Sequence, residues 1–116
     1  MISFIVKFEN VAVRVLLVDG LRAVRQMNGE ARACALPLPS ALFIPDVEPT
    51  SVCGTAVFSR TSGKRLLEYV PHEMSHAVLQ VHKNVHVSDD EDFAYAVGRL
   101  SAATILKLRK LRVPGV

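Results

Sequence analysis

The chain has 116 residues, half of them hydrophobic, with 14 Lys and Arg against 11 Asp and Glu and a formal charge of +3. That size and apolar content suffice to bury a core, so the chain reads as a single domain over residues 1–116. Two cysteines without CxxC spacing exclude a disulfide framework or a cysteine zinc site, and no apolar run reaches the length of about 18 residues that would span a bilayer.

Residues 2–8 and 11–18 are rich in Ile, Val and Phe and are divided by Glu9 and Asn10, so they read as a hairpin. The same segment is broken by Lys7, Glu9, Asn10 and Arg14 and has no basic start or cleavage site, so it is not a signal peptide. A soluble protein of the cytoplasm follows by default. After Asp19 and Gly20 the period changes to Leu21, Val24 and Met27, which fits a short helix ended by Asn28 and Gly29; the rival is an Asn-Gly hairpin turn.

Residues 31–36 fit another strand. Pro37, Pro39, Pro45 and Pro49 then mark a connecting region with short extended pieces such as Leu42 to Ile44. Residues 52–59, VCGTAVFS, form the next strand, and a turn follows at Ser62 and Gly63. Cys34 and Cys53 thus fall in separate strands and read as core thiols.

From Arg65 to about His82 the pattern is helical, with the regular part expected to begin near Pro71, because a proline fits only the first turn without loss. A loop around Asn84 to Val87 leads to a second helix from about Ser88 to Lys110, with Phe93, Val97, Leu100, Thr104 and Leu108 along one apolar stripe. The fold class is therefore α+β: a small mixed or antiparallel sheet packed on the first long helix, followed by a second. Lys107, Arg109, Lys110 and Arg112 complement the dipole at the end of that helix and give only a weak nucleic-acid signal, since no aromatic residues interleave them.

The chemistry lies in HEMSH, residues 72–76, an instance of HExxH. On a helix His72 and His76 stand about 40° apart around the axis and about 6 Å along it, so both imidazoles can face one ion. Zinc takes neutral imidazole nitrogens, and Glu73 is placed to take a proton from a zinc-activated water. Two residues offer a third ligand. His82 stands at the third histidine of HExxHxxGxxH, but Leu79 replaces the glycine that would let the helix break. Glu91 opens the second helix and is favoured: Ala94, Tyr95 and Gly98 share its face, and the small residues allow a close approach. Ser88 to Glu91 also spells a capping box, S-x-x-E, in which Glu91 would only cap the helix.

EYVPHEMSHAVLQ followed by DDEDFAYAVGRL resembles the small zincin-like metallopeptidases of the bacteriophage and prophage type, over about residues 52–105. The resemblance implies His72, His76 and Glu91 as zinc ligands, Glu73 as catalytic base, and a sheet beside the HExxH helix with an edge strand near the cleft. It implies hydrolysis of a peptide or protein substrate in the cytoplasm, that of the host if the gene is phage-borne. The chain departs from the larger zincins in lacking the subdomain that forms the far wall of the cleft, so one edge strand holds the substrate or a partner or second copy completes the site. Residues 52–59 are the strand expected to pair with substrate. His82, His86 and Tyr95 are candidate oxyanion stabilisers, with Tyr95 read first as a core residue. The alternatives are a zincin-fold binding protein that does not cut and, with less support, a nucleic-acid accessory protein.

Overall fold

A high content of Ile, Val and Phe sets the first two elements. The computed structural model describes residues 1–27, 40–46, 51–82 and 90–116. Strand β1 (Ile2–Phe8) and strand β2 (Val11–Val18) pair antiparallel, from Ile2 opposite Leu17 to Phe8 opposite Val11. Glu9 closes the two-residue turn at φ 52°, a left-handed conformation that few side chains adopt. Along β2, Val11, Val13, Val15 and Leu17 face the main core, while Leu16 and Val18 face the opposite side of the sheet.

The expected short helix is present as α1 (Leu21–Gln26), and its Val24 is fully buried against Val18, Leu42 and Val57. Strand β3 (Ala41–Pro45) is longer than the extended piece expected between the prolines. It tolerates Pro45 because it lies at the sheet edge, where a missing donor breaks no ladder bond on the outer side. Strand β4 (Gly54–Ser59) begins two residues later than expected, leaving Cys53 just outside it, half-buried, with its Sγ 3.8 Å from the Ala77 carbonyl. The strand at 31–36, Cys34, the loop at Asn84 to Val87 and the capping residue Ser88 lie outside the described residues.

The sheet order is β1-β2-β4-β3, with β4 parallel to β2 and antiparallel to β3. Among the described residues it is a four-stranded mixed sheet, and with the helices it makes the fold α+β. Gly54 is required where it stands: a Cβ there would lie 2.5 Å from the Ile44 carbonyl oxygen and 2.5 Å from the Phe43 ring. The expected turn at Ser62 and Gly63 lies within a 3₁₀ segment, Arg60–Arg65, in which Gly63 has φ 61°. Ser59 Oγ accepts the Thr61 N–H at its start.

Helix α2 (Leu66–Val81) starts five residues before Pro71, so the expectation that the regular part begins at the proline is corrected. The bond Pro71 cannot donate would run to the carbonyl of Leu67, and Leu67 is exposed, so the loss falls away from the core. Leu66, Val70, Met74, Ala77 and Val78 hold the helix on the sheet. Helix α3 (Asp90–Lys110) packs beside α2 and over β1 through Ala96, Leu100 and Leu108, which are buried, and Phe93 and Val97, which are half-buried. Beyond it the Val113 N–H returns to the Leu108 carbonyl at 3.1 Å, Arg112 turns left-handed at φ 58°, and Val113 joins the core.

Candidate metal centre

Met74 points into the core, and His72 and His76, two residues to either side, therefore lie on the opposite side of α2. Both are exposed at the helix surface. Their rings meet edge to face with centroids 4.9 Å apart, and the two Nε2 atoms are 3.3 Å from each other. Two nitrogens bound tetrahedrally at about 2.0–2.1 Å would stand roughly 3.3–3.4 Å apart, so the pair already has the spacing that one zinc ion requires.

Glu73 completes the group. The ligand atoms of His72, Glu73 and His76 all lie within 4.8 Å of one another, and Glu73 Oε1 is 3.8 Å from His72 Nε2. Unlike its neighbours, Glu73 is buried, because its position turns it toward β3. Burial raises its carboxyl above the ordinary value, and the neighbouring His72 opposes this more weakly. A carboxylate held this way is a better proton acceptor than one in water, which suits a general base.

A groove of about 450 Å³ runs between β3 and α2. Ala41, Leu42, Phe43 and Pro45 line one side, and Glu73, His76, Leu79 and Gln80 the other. The sequence offered little sign of this wall: ALFIP is too short and too close to the prolines to stand out, and only its apolar content marks it as a strand. The expected substrate-pairing strand is also corrected. β4 is paired on both sides and has no free edge, whereas β3, one of the two edge strands among the described residues, borders the groove.

Glu91 is not part of the group at His72 and His76. It is exposed in the first turn of α3, nine residues before Leu100, which places it about 180° around the helix from the buried stripe. Ala94 and Gly98, expected to let α3 approach closely, are exposed with it, and nothing lies within 4 Å of a Cβ built on Gly98. The contact between the two helices is made by the larger residues of the opposite face. His82 ends α2, its N–H bonded to the Val78 carbonyl, and is likewise outside the group. Tyr95 is not a core residue: it is 59% exposed and packs edge-on to Phe8 of β1. His86 lies outside the described residues.

No family model, no curated protein and no solved structure matches this chain, so the site stands on its own geometry. Among the described residues, no helix is long and apolar enough to cross a membrane.

Proposed function

We propose that the protein is a minimal zincin-like metallopeptidase, hydrolysing peptide bonds with zinc held by His72 and His76 and with Glu73 as general base. The observation that carries this is the 3.3 Å separation of the two Nε2 atoms beside a buried carboxylate. Zinc, when bound, supplies a Lewis acid and lowers the pKa of water to about 7. Glu73 takes the proton of the attacking water and delivers it to the leaving amine. An extended substrate pairs with the outer edge of β3, where the groove brings its backbone past His76.

The test is zinc content and peptide hydrolysis measured on the wild type and on Glu73→Gln. Retained zinc with lost hydrolysis supports the assignment. Hydrolysis that survives the substitution removes Glu73 as base, and a wild type that takes up no zinc removes the reading altogether.

A second reading is a zincin-like binding protein that holds metal without cutting. It is favoured by the exposure of Glu91 on the outer face of α3, which leaves two imidazoles and Glu73 as the donors that converge among the described residues. A wild type that binds zinc stoichiometrically yet cleaves no peptide in a random library would decide for it.

A further inference from the structure

Where β1 meets α3, away from the metal group, the chain builds a second ordered surface. β1 is seven residues long, is paired with β2 on one side, and has no neighbour on the other among the described residues. Its outer N–H and C=O groups are a template for another strand. Phe4 and Phe8 face α3 and are half-buried against the core. The Lys107 Nζ lies 6.0 Å from the centre of the Phe4 ring, and the Arg99 guanidinium lies 5.7 Å from the centres of both the Phe8 and Tyr95 rings. Neither cation has a carboxylate within 4.0 Å among the described residues, and both are exposed. Here the fold supplies the alternation of aromatic and basic groups that the sequence lacks.

We propose that this edge binds an extended acidic segment of another protein, which adds as a strand outside β1 and sets two acidic side chains, four residues apart, against Lys107 and Arg99. The spacing supports it. Eight residues of helix separate the two cations by about 12 Å. Positions four apart in a strand share a face and stand about 13 Å apart, as Phe4 and Phe8 do. Exposed Ile5, on the other face of β1 between Phe4 and Phe8, offers apolar contact to the partner's intervening side chains, and exposed Ile2 extends the apolar surface beyond Phe4. Glu9, Glu91 and Asp92 all fall at the Tyr95 end, so the Lys107 end, with Lys110 beyond it, is the more positive.

Charge argues against a second copy, because antiparallel pairing of β1 with itself would bring the two Arg99 and Lys107 rows together. Nucleic acid fits less well, since single strands bind by stacking bases on open rings. Phe4 and Phe8 are half-buried beneath cations, and Arg99 stands as close to the exposed ring of Tyr95 as to that of Phe8, so each ring of the strip already carries a cation.

The experiment is an amide NMR titration of the full chain with a nine-residue peptide of alternating Val and Thr bearing glutamates at its third and seventh positions. The controls are the same peptide with lysines there, and a ten-nucleotide oligothymidine. Expected are shifts in β1 and in the Arg99 to Lys107 stretch, and binding weakened about tenfold or more in Arg99→Gln with Lys107→Gln, a pair of exposed substitutions that leave the spectrum folded. The proposal is overturned by unmoved β1 amides at millimolar peptide, by equal binding of the lysine peptide, by stronger shifts with the oligothymidine, or by a β1-mediated dimer without peptide. Zinc plays no part in this test, so its outcome is separate from that of the metal site.

Discussion

His72 and His76 turn their Nε2 atoms toward each other across 3.3 Å, one turn apart on the outer side of α2. Without a metal, that contact is a hydrogen bond only if one ring carries its proton on Nε2. With a metal, both nitrogens become donors to one ion. Either His72→Ala or His76→Ala is therefore expected to weaken zinc binding by more than the roughly 10–100-fold that loss of a supporting partner alone costs, read by competition with a zinc chelator dye. An unchanged affinity in both variants would mean that the pair does not hold the ion.

Glu91→Gln is expected to leave zinc affinity and stoichiometry unchanged, because Glu91 lies across α3 from the face that meets α2. Zinc lost in this variant, with the helix content intact by circular dichroism, would return Glu91 to the ligand set.

Glu73 makes the metal-free protein pH-sensitive. Its carboxyl is raised above the ordinary 4.5 by burial, so the protonated form is favoured in the folded state. The stability this brings is fully present below the unfolded value and is lost as pH rises through the folded one. In chelator, Glu73→Gln should melt higher than the wild type at pH 7, and the gap should close as pH falls below 4.5. A gap that widens on acidification would contradict the burial account.

Gly54→Val tests the seat of the groove. The added side chain meets the backbone of Ile44 and the ring of Phe43, so β3 must move off β4. A loss of about 1–3 kcal/mol is expected in urea, together with weakened binding of any peptide that pairs with β3. Native stability would show that the edge strand yields freely.

Leu100→Ala, at the fully buried centre of the α3 stripe, is expected to cost about 2–5 kcal/mol by the same measurement. A cost below about 0.5 kcal/mol, the range of surface substitutions, would mean that α3 does not pack on the core as described.

The hairpin, α1, both long helices and the HExxH pair were legible because each rests on local composition or periodicity, properties of neighbouring residues. The β-branched content of VAVRVLLV acts within one strand, and the four-residue spacing of Leu100, Thr104 and Leu108 within one helix, so both survive folding unchanged. The start of α2 was misplaced because a proline signals a helix start only when nothing holds the preceding turn, and Leu66, fully buried, holds it. Tyr95 was misread for a related reason: an aromatic residue near an apolar stripe is ambiguous until the stripe's centre is known.

By itself the sequence determined the strands and helices it places and two imidazoles one turn apart, since these depend on dihedral preferences and spacing along one chain. Only the tertiary structure decided that β4 is interior and β3 the wall of the groove, that Glu91 faces outward, and that Arg99 and Lys107 rest on rings from β1. Those are relations between elements, fixed by which faces the core buries together, and no local pattern encodes the rotation of one helix against its neighbour.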